Sequence, residues 1–319
     1  NYEKNFRLRM WVSDDTDFSD GSMNDKTFTL TVNVYADGKV VNAPATKSLS
    51  KMIFDNNPVI MKSPTLTTSS NNTSDASGLY ASTATNTGEL TYYFRGAVEN
   101  NYVSFAGFTW RIVRINEDGT VRVIMQDGIN DNTTYTFNSN YNNYTYMYYS
   151  NSDAKTTLES WYQTNIGSKS DLAKNVASGN YYCEQAKARY SDSYTSGSSV
   201  MTTYNKYTPD FKCSSDGNGK GVVNASVGLL TYDEVVYAGG YYGQNNSNYY
   251  LNNPAIYWWT MSPAGFSGSR SNVWLVYTTG GIDDYFVNST RRLRAVLNLT
   301  ADTQISDGDG TINNPFVVK

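Results

Sequence analysis

Apolar and polar residues alternate with a period of two over several short segments of the chain, which is the pattern of half-buried β-strands. The alternation is clearest at residues 6–12, 28–35, 108–115 and 121–125. Residues 116–119 read Asn-Glu-Asp-Gly, and an Asp-Gly pair supplies the positive φ of a tight hairpin turn. We therefore predict strands at these segments and a β-hairpin over residues 108–125.

Two other segments show the three-and-four spacing or the end signals of a helix. One apolar stripe runs along residues 155–166 and consists of Leu158, Trp161, Tyr162 and Ile166. Residues 232–238 follow Thr231, which forms a capping box with Glu234 three residues later. We predict helices over both segments and one short helix over residues 47–54.

The C-terminal region, residues 257–299, alternates short apolar strands with loops of Ser, Gly, Asn, Asp and Arg. Tyr and Trp as rigid anchors, beside Ser, Gly and Asn, are typical of recognition loops. The tryptophan pair at 258–259 is expected in the core. Phe266, Arg270 and Tyr285 are expected to be exposed contacts, because glycines mark loops near them. The alternative is that these loops are solvated turns without a binding function.

The composition divides the chain into three parts. Residues 1–36 hold two strands, which do not make a stable domain alone, so they must pair with a segment missing from this chain, with another chain or with the body that follows. Residues 37–77 contain three prolines and a Ser/Thr/Asn run, and we predict a linker or junction there. Residues 78–319 form the main body, which is long enough to bury its own core.

The absence of one residue type and the charge balance exclude several classes of function. The chain has no histidine, which removes Ser-His-Asp and Cys-His nucleophiles and histidine metal sites. Lys plus Arg is 25 and Asp plus Glu is 29, so the net charge of −4 does not favour nucleic acid. Charged residues make up 17%, and uncharged polar residues and 28 tyrosines replace them. We predict a non-enzymatic protein without a cofactor, located outside the cell or on its surface.

Cys183 and Cys213 are the two cysteines of the chain. A single pair in a chain of extracellular composition predicts a disulfide rather than a redox motif. No run reaches the roughly 18 apolar residues of a membrane helix, and no signal peptide is visible. We expect any export signal or membrane anchor to lie outside this sequence.

Three acidic clusters are candidates for Ca²⁺ ligands. Residues 216–221 imitate the start of an EF-hand loop, but Lys220 stands at the fifth position and Val227 where a bidentate Glu is required. The pair at 283–284 and residues 307–310 favour turns over Ca²⁺ sites. No paired carboxylates with an activating neighbour and no phosphate-binding glycine loop are present. We therefore predict no catalytic residue and no metal site.

Several motifs carry a resemblance to a known family. They are YYFRGAVENNYVSFAGFTWRIVRINEDGTVRVIMQ at 92–126, GLLTYDEVVYAGG at 228–240, WTMSPAGF at 259–266 and LRAVLNL at 293–299. From about residue 78 to its end, the chain resembles bacterial surface proteins with a C-type-lectin-like domain, related in fold to formylglycine-generating enzyme and to variable receptor-binding proteins. The family usually has Pro where Ala295 stands. Residues 1–36 resemble, over a shorter stretch, the end of a camelysin-like β-sandwich, which implies that they are β-strands of an incomplete β-sandwich.

The resemblance implies an α+β, C-type-lectin-like mixed fold with two helices on twisted antiparallel sheets. In the variable receptor-binding relatives, diversified residues lie in the last strands and their loops. The residues that we predict to bind a ligand in this region are Phe266, Ser267, Ser269, Arg270, Ser271, Asn272, Trp274, Tyr277, Asp283, Asp284, Tyr285 and Asn288. The catalytic cysteines of the formylglycine-generating branch have no counterpart here, so that activity is not expected.

Two hypotheses of function follow. The first is an adhesin-like surface protein that displays its C-terminal loops to an unknown protein or glycan. The second is a structural subunit of a surface fibre, which self-associates through the strands of residues 1–36, because open strand edges invite pairing.

Overall fold

The computed structural model describes residues 47–64, 66, 75–179, 181–184, 200–201, 209–213, 221–266 and 268–319. The strands predicted within 1–36, and all but the last residue of the 216–221 segment, lie outside this part. The described residues form an α+β fold, as predicted, with helices packed among several β-sheets. No helix among them is long and apolar enough to cross a membrane.

The strands are short and follow one another closely along the chain. In chain order they are β1 (Val59–Ile60), β2 (Gly78–Ser82), β3 (Thr91–Arg95), β4 (Tyr102–Phe105), β5 (Phe108–Ile115), β6 (Val121–Met125), β7 (Thr134–Thr136), β8 (Tyr181–Cys183), β9 (Val200–Met201), β10 (Val222–Asn224), β11 (Trp258–Phe266), β12 (Ser271–Val276), β13 (Ile282–Phe286), β14 (Thr290–Arg292), β15 (Val296–Leu299), β16 (Ile305–Asp307) and β17 (Phe316–Val318).

These strands form two large sheets and one small one. The order in the larger sheet is β1-β2-β3-β5-β4-β17-β16, and β6 pairs with both β5 and β15. The second sheet has the order β13-β12-β11-β14-β7, with β9 also paired to β11, and β8 pairs with β10. Most neighbours are antiparallel, whereas β1–β2, β4–β17 and β11–β14 are parallel. The second sheet carries β11 to β14 of the C-terminal region, whereas β15 of that region joins the larger sheet.

The predicted hairpin over residues 108–125 is confirmed, and its two strands have the predicted bounds. The Asn116 backbone N–H donates to the Thr120 carbonyl over 2.8 Å. Gly119 has a φ of +83°, which is the conformation that its Asp-Gly pair predicts.

The helices are Leu49–Asn56, Asp153–Tyr162, Ser170–Ala173 and Tyr232–Ala238, and the second continues as a π-helical turn over Gln163–Gly167. Tyr232–Ala238 has the predicted bounds and the predicted capping box. The Glu234 backbone N–H donates to Thr231 Oγ1 over 3.1 Å, and the Thr231 backbone N–H donates to Glu234 Oε2 over 2.9 Å. A cap of this kind contributes about 1 kcal/mol.

The apolar stripe predicted for the longest helix faces the core, and all of its four side chains are buried. Trp161, on this stripe, lies against two rings of β5, with centroid distances of 5.2 Å to Phe108 and 6.3 Å to Trp110. Burying a side chain of this kind contributes roughly 1.5–3 kcal/mol. The helix is therefore held by packing on the larger sheet.

The core extends upstream of residue 78, where the main body was predicted to begin. Leu49 and Ile53, in the first helix, are almost fully buried and belong to the main core cluster. The Leu49 backbone N–H donates to the Thr303 carbonyl over 2.9 Å, and β1 pairs with β2. The predicted linker thus contributes a helix and a strand, between residues 49 and 60, to the folded body.

The predicted disulfide between Cys183 and Cys213 is confirmed, with 5.4 Å between the two Cα atoms. Cys183 ends β8, opposite Val222 of β10. The bridge therefore joins the small sheet to the segment 209–213, and a loop of this length gains about 3–4 kcal/mol in the chain-entropy account.

Candidate functional site

The predicted ligand-binding residues lie on and around β11, β12 and β13, and three of them are buried. Phe266 and Trp274 are each 2% exposed, and Ser271 is 0% exposed. Phe266 ends β11 at a point where that strand pairs with both β12 and β9. The ring of Trp274 packs against Tyr232, with centroids 4.8 Å apart. The prediction that Phe266 is an exposed contact is therefore wrong, because the strand continues to this residue.

The other predicted residues reach the surface to different degrees. The exposed ones are Ser269, Arg270, Tyr285 and Asn288, and the half-buried ones are Asn272, Tyr277, Asp283 and Asp284. Ser267 lies outside the described residues. Asp283 and Asp284 are inside β13, opposite Leu275 and Trp274 of β12, so the turn predicted there is wrong.

Strand geometry divides these residues between the two sides of the sheet, because cross-strand neighbours point to the same side. One side carries Asn272, Trp274, Asp284 and Phe286. The other side carries Asp283 and Tyr285 of β13, with their cross-strand neighbours Leu275 and Val273 of β12 beside them. On the first side, Asn272 Nδ2 donates to Asp284 Oδ2 over 2.6 Å. Burial raises the pKa of Asp284, and this hydrogen bond acts against the rise.

A group of partly exposed side chains on the second side forms the candidate binding site. We call it the aromatic face, and its members are Tyr257, Tyr277, Asp283, Tyr285 and Arg291. Tyr257 and Tyr285 are 37% and 40% exposed. The rings of Tyr257 and Tyr277 meet edge to face with centroids 5.3 Å apart. All five residues lie on or directly beside strands of the sheet, so the surface is rigidly supported.

Arg291 lies at the centre of the aromatic face. Its Cζ is 4.6 Å from the ring centroid of Tyr285 and 5.7 Å from that of Tyr257. Nη1 donates to the carbonyl of Thr290 over 2.7 Å. Within the described part of the chain, Arg291 forms no ion pair. Aromatic rings, rather than a carboxylate, therefore hold this guanidinium, and such contacts contribute about 0.5–1 kcal/mol at exposed sites.

Tyr277 and Asp283 add a polar edge to the aromatic face. The Tyr277 hydroxyl donates to Asp283 Oδ2 over 3.5 Å. Partial burial and the carboxylate of Asp283 raise the pKa of Tyr277, while Arg291 acts against the rise. Tyr277 therefore stays a neutral hydroxyl at physiological pH, and the face offers a ligand one carboxylate, one guanidinium and two exposed rings.

Two residues of the aromatic face, Tyr257 and Arg291, are not among the predicted ligand-binding residues. Tyr257 precedes β11 and Arg291 is in β14, a strand that pairs with β11 in parallel at Trp258 and Arg292. The Arg292 backbone N–H donates to the Tyr257 carbonyl over 2.9 Å. Both residues stand within the predicted C-terminal region, but only the strand pairing shows that they are neighbours.

A strained turn adjoins the β14 end of the aromatic face. Asn130, Asp131 and Asn132 have φ values of +49°, +53° and +63°, so three consecutive residues are left-handed. Each such residue costs about 1–2 kcal/mol. The turn is held by Arg292 Nε, which donates to the Asn132 carbonyl over 3.0 Å, and by Asn130 Nδ2, which donates to the Tyr135 hydroxyl over 2.8 Å.

A cleft of about 500 Å³ lies apart from the aromatic face, and a buried ion cluster lines it. We use that name for Arg114, Arg122 and Glu234. Glu234 Oε1 accepts from Arg122 Nη1 over 2.6 Å and from Arg114 Nε over 3.3 Å. Trp274 and Asn298 also line the cleft. Trp274 therefore belongs to this cleft, on the opposite side of the sheet from the aromatic face.

In the ion cluster, burial and the neighbouring charges shift the pKa of Glu234 in opposite directions. Burial alone would raise the pKa of Glu234, but Arg122 and Arg114 together hold that pKa below its ordinary value. Burial and the neighbouring Arg122 lower the pKa of Arg114 to about 10. Both arginines stay charged at physiological pH and share one carboxylate.

An arginine on a sheet face is expected to pair with a carboxylate, and β5 carries two, Arg111 and Arg114. Arg114 does so, because it contacts Glu234. Arg111 does not: its Nε donates to Asn101 Oδ1 over 2.7 Å, its Nη2 donates to the Val98 carbonyl over 2.6 Å, and its Cζ lies 3.8 Å from the ring centroid of Tyr102. Neutral acceptors and a ring replace the expected acid.

The acidic segment at 307–310 forms a turn, as predicted. Asp309 Oδ1 accepts from the backbone N–H and the hydroxyl of Thr311, over 3.0 and 2.8 Å. Across the described residues, no group of three or more His, Cys, Asp and Glu side chains is arranged to hold a metal ion.

No family model matches the chain, and no curated protein and no solved structure matches it either.

Proposed function

We propose that this chain is an extracellular, non-enzymatic, adhesin-like protein that binds its ligand through the aromatic face. One observation carries the proposal: Tyr257 and Tyr285 are exposed with their ring centroids 5.7 and 4.6 Å from Cζ of Arg291, whose guanidinium has no acidic partner among the described residues. Tyr and Arg are the residues that most often dominate binding energies. An exposed cluster of them that the core does not need favours a contact surface.

The mounting of these residues supports the same function. Asp283, Tyr285 and Arg291 project from a sheet whose neighbouring side chains on the same side, Trp259 and Leu275, are fully buried. A rigid support lowers the entropy that a ligand has to overcome on binding. The resemblance to C-type-lectin-like surface proteins fits this arrangement, because those domains also bind through their C-terminal strands.

The proposed location outside the cell is supported by the disulfide between Cys183 and Cys213, since such bridges persist in oxidising surroundings. The alternative of a fibre subunit depends on the strands at 1–36. These lie outside the described residues, so that alternative stays a prediction.

The test compares the wild-type protein with the triple variant Tyr257→Ala, Tyr285→Ala and Arg291→Ala. Labelled protein is applied to a printed glycan array and to a panel of immobilised extracellular-matrix proteins. We expect the triple variant to lose at least about 100-fold in affinity for whatever the wild type binds, because each anchor contributes about 1–4 kcal/mol.

The matched control is the double variant Tyr141→Ala and Ile312→Ala. These two side chains are similarly exposed, at 39% and 56%, but are not part of the aromatic face. The control should bind like the wild type. Equal binding by the wild type and the triple variant would refute the assignment of the site.

A further inference from the structure

Arg294 is fully buried, and its guanidinium is only partly satisfied. It is 0% exposed. Nε donates to the Met125 carbonyl over 2.8 Å, and Nη1 donates to the Leu251 carbonyl over 2.9 Å. Cζ lies 4.9 Å from the ring centroid of Trp258. Nη2 has no hydrogen-bond partner among the atoms of the described residues.

Two residues that interact with Arg294 also carry buried donors without a partner among the described residues. The Tyr250 hydroxyl is one, on a residue whose ionisation Arg294 influences, and the Trp258 Nε1–H is the other, on the ring that the guanidinium contacts. Tyr250 is 5% exposed and Trp258 is 1% exposed. All three groups can donate a hydrogen bond, and buried polar groups are rarely left unsatisfied.

The positive charge of Arg294 is also not compensated by an ion pair within the described structure. In the described structure, no carboxylate oxygen lies within 4 Å of this guanidinium. Burial and the neighbouring Arg111 lower the pKa of Arg294 to about 10, and the more distant Asp127 acts against this. An unpaired buried cation is costly, so a negative charge beside it would stabilise the fold.

We propose that a monovalent inorganic anion, chloride in physiological solution, binds in the interior beside Arg294 and accepts hydrogen bonds from Arg294 Nη2, the Tyr250 hydroxyl and the Trp258 indole N–H. An anion satisfies three donors and supplies the missing charge together. A water molecule satisfies donors but adds no charge, and a metal cation would be repelled. This site is separate from the aromatic face, so either can fail without the other.

The first experiment follows thermal unfolding as sodium chloride replaces sodium gluconate at constant ionic strength. We expect the melting temperature to rise with chloride and then level off, because an ion that binds only the folded state stabilises it by mass action. An equal melting temperature in the two salts would mean that water alone occupies the site, and the proposal would be overturned.

Conservative variants locate the ion. Tyr250→Phe and Trp258→Phe each remove one donor and keep an aromatic ring, so the fold should be retained. Each should raise the half-saturating chloride concentration about tenfold, which is the loss expected for one hydrogen bond to a charged group. Tyr249→Phe is the matched control, because the buried Tyr249 hydroxyl already donates to the Gly280 carbonyl over 2.9 Å. An unchanged chloride response in both test variants contradicts the assignment.

A crystal grown in sodium bromide gives a readout that does not depend on stability. We expect an anomalous bromide peak within hydrogen-bond distance of Arg294 Nη2. Peaks confined to surface arginines such as Arg270 would show an adventitious ion only, and the internal site would then be rejected.

Discussion

The buried ion cluster and the aromatic face hold their arginines in opposite ways. Arg114 and Arg122 share the carboxylate of Glu234 inside the body, whereas Arg291 lies among tyrosine rings at the surface without an acid. The first arrangement joins parts of the chain more than 100 residues apart, since Arg122 and Glu234 are separated by 112 positions. The second joins strands that other contacts already hold together.

This difference separates structural roles from binding roles. Removing the charge of Glu234 leaves two buried arginines without the carboxylate that they share, so the fold depends on it. Removing a side chain from the aromatic face leaves the opposite side of the sheet, with Trp258 and Trp274, buried as before. A surface that the fold does not require is the one that a ligand can use.

The largest expected effect is that of Glu234→Gln. The amide oxygen of glutamine can keep the capping box, and its NH2 group then faces the arginines in place of a carboxylate oxygen, so the variant removes both the charge and their shared acceptor. We expect the free energy of unfolding to fall by about 3–5 kcal/mol, because two buried arginines lose their counter-charge. Urea denaturation measures this loss. Glu117→Gln, at a half-exposed partner of Arg114, should cost less than about 1 kcal/mol, and equal losses in the two variants would contradict the contrast.

The titration of the Glu234 carboxylate should also appear in the pH dependence of the free energy of unfolding. The pKa of Glu234 is lowered in the folded protein, so its contribution is fully present above the ordinary value of 4.5 and is lost as the pH falls through the folded pKa. One proton changes stability by at most about 1.4 kcal/mol per pH unit. We expect urea unfolding below pH 4.5 to show a shallower slope in Glu234→Gln than in the wild type. Parallel slopes would mean that Glu234 does not titrate in this range.

Substitutions in the aromatic face should lower the free energy of unfolding only slightly. For the triple variant Tyr257→Ala, Tyr285→Ala and Arg291→Ala, we expect a loss of less than about 1.5 kcal/mol, because surface substitutions typically change stability by up to 0.5 kcal/mol each. Urea unfolding at neutral pH measures this. A loss as large as that of Glu234→Gln would make the face a structural element and would weaken its proposed role in binding.

The smallest effect is the coupling between Tyr285 and Arg291. Their contact distance of 4.6 Å predicts a coupling energy of about 0.5–1 kcal/mol for an exposed cation–π pair. A double-mutant cycle of Tyr285→Ala and Arg291→Ala, measured by urea unfolding, gives this energy. Zero coupling would show that the rings do not hold the guanidinium in solution.

Local signals in the sequence were sufficient for the elements that depend on neighbouring residues. The hairpin over residues 108–125 and the capping box at Thr231 have the predicted bounds, because an Asp-Gly turn and a four-residue cap are complete within one short segment. The pairing of Cys183 with Cys213 followed from there being only two cysteines.

The candidate site depended on non-local pairing and was predicted only in part. Glycines on either side of Phe266 favoured an exposed loop. Instead, β9, more than 60 positions earlier in the chain, pairs with the end of β11 at Phe266. Trp274 was assigned to the binding surface, but the opposite side of its strand faces that surface. Tyr257 and Arg291 became neighbours only through the parallel pairing of β11 with β14.

Glu234 serves two structures at once. Its Oε2 completes the start of the helix Tyr232–Ala238, and its Oε1 receives the arginines of the β5–β6 hairpin. This side chain therefore joins a contact between residues three positions apart to contacts between residues more than 100 positions apart. A chain that has formed the helix is already oriented to capture the hairpin, and neither partner can be redesigned or exchanged by evolution without altering the other.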